Sequence, residues 1–140
     1  MDEKEIVIQT VEMISQLMGE LEAKAFKEEG FSEITMSQML YLETINHLGQ
    51  PTFGDLADKL GVTRPSVSAI IKRLTGLGFV KKVQSKEDRR VFYINLTEQG
   101  NRFNELHGSV HRILAYRITE KLNQAEIEEL AGLLNKITSI

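Results

Sequence analysis

The chain has 140 residues, 41% of them hydrophobic and 26% charged, which fits one folded domain and excludes a disordered or low-complexity polymer. It contains no cysteine, which excludes disulfides, thiolate metal sites, cysteine nucleophiles and thiol-based peroxide sensing. The net charge of −3 hides an asymmetry: residues 1–50 carry ten acids and three bases, whereas residues 59–90 carry nine bases against Glu87 and Asp88, the pattern of a local polyanion site or of a solvated charged face.

The N-terminal Met-Asp-Glu-Lys-Glu-Ile is too acidic for a secretory n-region, and no apolar run approaches the roughly 18 residues of a membrane span. A soluble cytoplasmic protein is expected. Residues 4–28 are predicted to form a long amphipathic helix, because Val7, Val11, Ile14, Met18, Leu21 and Ala25 recur at spacings of three and four. Ile6, Met13, Leu17 and Phe26 widen that stripe beyond what a terminal helix exposes without a partner. Thr35-x-x-Gln38 reads as a capping box for a second helix, with Met39, Leu42, Ile45 and Leu48 inside and Gly49 at its end.

Thr52 is the expected N-cap of a short third helix whose inner face is Phe53, Leu56, Ala57 and Leu60 and which Gly61 terminates. Thr63 caps a fourth helix, with Pro65 in the first turn, where a missing N–H is harmless. Val67, Ile70, Ile71 and Leu74 form its apolar face. Its other face shows Pro65, Ser66, Ser68, Ala69, Lys72 and Arg73. Residues 79–96 change period: the β-rich runs Phe79–Val83 and Val91–Leu96 flank a polar stretch with Lys86, Asp88, Arg89 and Arg90, the pattern of a hairpin with a basic tip. In the second run, Phe92, Ile94 and Leu96 are expected to share one face. Thr97-Glu98 opens a fifth helix to about Lys121, striped by Phe103, Leu106, Val110, Ile113, Leu114 and Arg117. Asn123-x-x-Glu126 caps a sixth helix carrying Ile127, Leu130, Leu134 and Ile137.

Helix, short helix, tight turn, helix and basic hairpin form a winged helix-turn-helix pattern. In such a motif the second helix of the pair buries one face and presents a small, polar N-terminal face to a DNA major groove about 12 Å wide. Thr63, Arg64, Pro65, Ser66 and Ser68 have that character, and Lys72 and Arg73 follow on the exposed side. An arginine at the hairpin tip suits a narrow A·T-rich minor groove, with Asp88 fixing a neighbouring arginine by a charge-assisted hydrogen bond. No enzyme is expected: Gly76-x-Gly78-x-x-Lys81 lacks the third glycine of a dinucleotide loop and precedes a strand, and no Ser–His–acid order or paired carboxylates stand out. No cofactor is called for.

The chain resembles the MarR family of transcriptional regulators over nearly its full length. The matching residues are Ile34-Thr35-Met36-Ser37-Gln38, Asp55 to Val62, Val67 to Gly78 and, most specifically, Asp88-Arg89-Arg90-Val91-Phe92-Tyr93-Ile94-Asn95-Leu96-Thr97-Glu98-Gln99-Gly100, an Asp-x-Arg followed by Leu-Thr-x-x-Gly. The resemblance implies a mainly α fold in one MarR-like domain over 1–140. It implies dimerisation helices over 1–30 and 101–140 and a winged helix-turn-helix DNA-binding lobe with a small antiparallel β wing over 35–97. It implies a homodimer on a pseudo-palindromic double-stranded DNA operator, with recognition helices in successive major grooves. Arg90 would then be the minor-groove residue, Asp88 its orienting partner, and Arg89 the free position between them. Repression is the expected sign, because a bound dimer blocks polymerase without special contacts. Family members often respond to phenolic or other small amphipathic ligands. Tyr41, His47 and Tyr116 are candidates for lining such a pocket, although packing roles suit them better.

Two alternatives remain open at this stage. One is a winged helix that docks protein, which needs neither Arg90 at the tip nor the serine-rich helix start. The other is a metal-responsive regulator using His107 and His111, spaced i, i+4 on the fifth helix, with Glu22, Glu28 or Glu29 as carboxylates. The two histidines align with histidines of zinc-sensing members of the family. Met39 stands near where those members place a further histidine, and an ordinary helix flank is the favoured reading of the pair.

Overall fold

The computed structural model describes residues 1–139. Among these, six helices and two strands follow in the order α1 (Glu3–Glu29), α2 (Met36–Leu48), α3 (Phe53–Leu60), α4 (Arg64–Gly76), β1 (Val80–Gln84), β2 (Phe92–Leu96), α5 (Glu98–Lys121) and α6 (Gln124–Thr138). The helix starts follow from side chains that satisfy orphan amides. The Thr35 hydroxyl accepts from the Gln38 amide at 3.2 Å while Gln38 accepts from the Thr35 amide at 3.0 Å. The pairs Thr52–Asp55 and Asn123–Glu126 make the same reciprocal bonds. Each such cap contributes about 1 kcal/mol.

The chain divides into two compact units, Phe26–Leu106 and a second formed by Met1–Ala25 with the chain from His107 onward. The divisions fall inside α1 and α5. In the first unit, Leu42 and Ile45 of α2, Leu56 of α3, Val67 and Leu74 of α4, Ile94 of β2 and Phe103 of α5 are fully buried. Phe103 stacks on Phe26 with ring centroids 5.0 Å apart and meets Phe31 at 5.6 Å and Phe79 at 6.0 Å edge-on. These aromatic contacts explain why the last residues of α1 and the first of α5 belong to this unit.

β1 and β2 pair antiparallel from Val80↔Leu96 to Gln84↔Phe92. The wing is tied to the segment before α3, since the Ile94 amide donates to the Pro51 carbonyl at 2.8 Å and Thr52 bridges Tyr93. Phe92, Ile94 and Leu96 alternate along one continuous strand as expected, yet their burial differs. Ile94 is buried and Leu96 half-buried, but Phe92 is exposed. Phe92 stands at the far end of the hairpin, and the Lys82 ammonium lies 5.6 Å from its ring centroid.

The Leu-Thr-x-x-Gly motif has a structural role. The Thr97 hydroxyl donates to the Gly78 carbonyl at 2.6 Å and accepts from the Gly100 amide at 3.2 Å, and the Thr97 amide donates to the Phe79 carbonyl at 3.0 Å. The start of α5 is thereby held against the turn that follows α4. Gly100 is buried, and a Cβ there would run into the backbone carbonyl of Phe79 and stand 3.2 Å from a methyl of Leu96. Gly100→Ala is therefore expected to destabilise the protein by roughly 1–3 kcal/mol through overpacking. Urea unfolding should show a lower midpoint at unchanged slope. An unchanged midpoint would remove this explanation of the motif.

In the second unit, Ile6, Val7, Ile8, Val11, Met13 and Ile14 of α1 are exposed, as are Leu133, Leu134 and Ile137 of α6. None of the described helices is long and apolar enough to cross a membrane.

Candidate nucleic-acid interface

All eleven residues predicted to contact DNA lie in the Phe26–Leu106 unit. Thr63, Arg64, Pro65, Ser66, Ser68, Lys72, Arg73, Lys86, Arg89 and Arg90 are exposed, and Asp88 is half-buried. The opposite face of α4 is anchored by Val67, Ile71 and Leu74, all essentially inaccessible, so the helix is held rigidly from behind.

The start of α4 is organised more tightly than its composition suggests. The Thr63 hydroxyl accepts from the Ser66 amide at 3.3 Å, and the two hydroxyls share a hydrogen bond at 2.9 Å. Ser66 therefore belongs to the cap. Ser68 has no such tie and lies with Phe53, Ile71, Lys72, Thr75 and Lys82 along a cleft of about 380 Å³ between the helix and the wing. The Arg64 guanidinium rests against Gly54 of α3.

The wing tip is built around Asp88. Its carboxylate accepts from the Arg90 amide at 3.0 Å, from Arg90 Nε at 3.1 Å and from Arg90 Nη2 at 3.1 Å. The Asp88 amide donates to Ser85 Oγ at 3.2 Å, the Ser85 amide donates to the Val91 carbonyl at 2.9 Å, and Gln84 Nε2 donates to the Arg89 carbonyl at 2.8 Å. The side-chain and backbone hydrogen bonds from Arg90 hold the Asp88 carboxyl below the usual carboxylate range, against a small opposing effect of burial. The pair therefore persists at neutral pH and is lost only as pH falls through that lowered range. The Arg90 side chain remains 90% exposed, so Asp88 aims it without covering it.

Sequence reasoning missed Gln84 and Ser85 as tip organisers, Lys82 and Phe92 as members of the wing surface, and Gly54 as the seat of Arg64. The basic run around Lys81 and Lys82 was the available signal for Lys82. Gln84 and Ser85 bond within the hairpin turn itself, three to five residues on, whereas the seat on Gly54 depends on contact between separate segments.

The remaining candidates separate. Tyr41 is buried in the core, and desolvation raises the pKa of its hydroxyl. His47 and Tyr116 are exposed. The rings of His107 and His111 lie 4.8 Å apart, and His107 Nδ1 is 3.7 Å from Glu22 Oε1. The described residues hold no group of three or more histidine, aspartate or glutamate side chains placed to share a metal ion.

A rigid helix with a small polar face, backed by a hairpin carrying an aimed arginine, defines a winged helix-turn-helix protein. Residues 34–92 match the family model described as MarR family. The HTH-type transcriptional regulator YfiV of Bacillus subtilis is 34% identical over 70 residues, which are 50% of this chain and 44% of that protein. The HTH-type transcriptional regulator TcaR of Staphylococcus aureus is 29% identical over 134 residues, 93% of this chain and 87% of that protein. The structure of FabT from Streptococcus pneumoniae in complex with DNA matches with a TM-score of 0.81 at 22% identity, covering 97% of this chain and 94% of that one, which shows a shared fold. The chain spans only 44% to 65% of the length of the first curated relatives it matches.

Proposed function

We propose that this protein is a sequence-specific DNA-binding transcriptional regulator of the cytoplasm, a homodimeric repressor without enzymatic activity. The observation that carries the reading is the bidentate Asp88–Arg90 pair, which aims an exposed guanidinium from the wing while α4 offers Ser68, Lys72 and Arg73 from the same compact unit. Direct readout would come from the start of α4, and Lys72, Arg73, Lys86 and Arg89 would meet phosphates. Relatives support the reading, since FabT was solved with DNA and MepR of Staphylococcus aureus with an oligodeoxyribonucleotide. In-vitro selection of duplexes by the purified protein should return a pseudo-palindromic site with half-sites about one helical turn apart. Recovery of no enriched duplex would overturn the assignment.

Residues 35–97 form the DNA-binding lobe in this reading, and residues 1–30 and 101–140 form the dimerisation helices. The support is the exposed aliphatic surface of α1 and α6, which a single chain leaves in water. Sedimentation at micromolar concentration should give about 32 kDa, twice the chain mass of 15.9 kDa, as expected for a closed two-fold pair. A 16 kDa species would refute it. A small amphipathic ligand is the proposed inducer, on family resemblance. Linkage requires that it bind the non-operator spacing of the two recognition helices more tightly than the operator-bound spacing.

A further inference from the structure

We propose that Gly54 is a positioning residue for DNA: its missing side chain lets the Arg64 guanidinium lie across α3, where Arg64 holds a backbone phosphate beside the groove that the wing residue Arg90 enters. This inference rests on the DNA-binding reading above. A Cβ built on Gly54 would stand 2.8 Å from Arg64 Nη2 and 3.4 Å from Arg64 Cζ, so the guanidinium occupies space that any other residue would fill.

The backbone does not require glycine at this position. The glycines with positive φ are Gly30, Gly49, Gly61 and Gly78, and Gly54 lies within the first turn of α3, where alanine is the better helix former. What needs glycine there is the approach of Arg64 from the start of α4. Arg64 has no ion-pair partner among the described residues.

Gly54, Arg64 and Arg90 line one cleft of about 320 Å³ with Thr52, Phe53 and Phe92, and no lining residue is acidic. Arg90 gives two N–H donors to Asp88 and keeps three of its five. Arginines of the recognition helix and of the wing thus border one cleft that no acidic residue lines, with the Asp88 carboxylate held on the Arg90 guanidinium. A phosphodiester oxygen is an acceptor that the Arg64 guanidinium binds there by charge-assisted hydrogen bonds. Arg64 is then a backbone contact that sets register between the two reading elements, and Gly54 acts through it.

The test compares wild type, Gly54→Ala, Arg64→Ala and the double variant, on the selected duplex and on a random duplex, across a salt series, with thermal melting of each protein. Gly54→Ala is expected to melt no lower than wild type yet to bind both duplexes about tenfold more weakly. Its salt slope should fall by about one unit per protomer. Arg64→Ala should show the same loss, and the double variant should bind no more weakly than Arg64→Ala, because both changes remove one contact. Gly54→Ala binding as wild type does would overturn the proposal. So would a melting temperature lowered by several degrees, or an undiminished effect of Gly54→Ala in the Arg64→Ala background. Failure of wild type to bind either duplex would remove the DNA-binding reading and this inference together, whereas normal wild-type binding with an unaffected Gly54→Ala removes this inference alone.

Discussion

Arg90→Ala is expected to weaken operator binding about tenfold or more while leaving the melting temperature unchanged. The side chain is 90% exposed and among the described residues its only partner is Asp88, two residues away, so its removal opens no cavity and orphans no buried group. The lost interaction is electrostatic and depends on groove shape. It should therefore be largest on sites with A·T-rich flanks, where a narrow minor groove concentrates negative potential. The salt slope should fall by about one to two units per dimer. Asp88→Asn should share part of the loss, since it leaves the guanidinium present but less firmly aimed. Lys72→Ala offers the contrast: a phosphate contact weakens specific and random duplexes alike. Anisotropy titrations at several salt concentrations measure all three variants. If Arg90→Ala binds both duplexes as wild type does at every salt concentration, the wing is not a DNA contact, and a protein-docking role for the lobe takes precedence.

Phe103→Ala should produce the largest loss of stability among single substitutions, about 3–5 kcal/mol. Phe103 is fully buried and is the ring on which Phe26, Phe31 and Phe79 converge from three parts of the chain. Alanine there removes the transferred apolar area and leaves a cavity. It also deletes three aromatic contacts worth on the order of 0.5–1.5 kcal/mol each beyond that area. Because Phe26 and Phe103 tie the end of α1 and the start of α5 into the lobe, the loss should appear as increased amide exchange at both helix segments. Chemical denaturation of the variant measures the magnitude. A loss below about 1 kcal/mol would mean that the cluster repacks and that these helix ends are held by other contacts.

The exposed surface of the second unit bears on how these measurements are read. Stability measured on a dimer includes the association term and depends on protein concentration. Both predictions are therefore compared at one concentration, above that at which the sedimentation measurement shows a single species.

Much of this molecule was legible in the chain before any coordinates. Thr35, Thr52, Thr63 and Asn123 announced helix starts because a cap is an interaction between residues three apart. The buried faces of α3 and α4 followed from their spacing. The switch to β period after Gly78 marked the wing, and Asp88 was read as the partner of a neighbouring arginine, which the family resemblance alone narrowed to Arg90. These are all short-range relations, so local composition determines them. Period two placed Phe92 with Ile94 but not its exposure, because that period sets which side a residue faces, not how far along the hairpin the core extends. Ser66 read as part of the polar face offered to DNA, and its amide and hydroxyl also bond to the Thr63 cap. The seat of Arg64 on Gly54, the bond from Thr97 to Gly78, the clamp of Pro51 on Ile94 and the meeting of four phenylalanines join residues ten to nearly eighty positions apart. Each depends on how helices and hairpin pack. By itself the sequence determined where the elements begin and which chemistry they carry. The tertiary structure decided which side chains meet, because those contacts form only once the shared core has set the distances between elements.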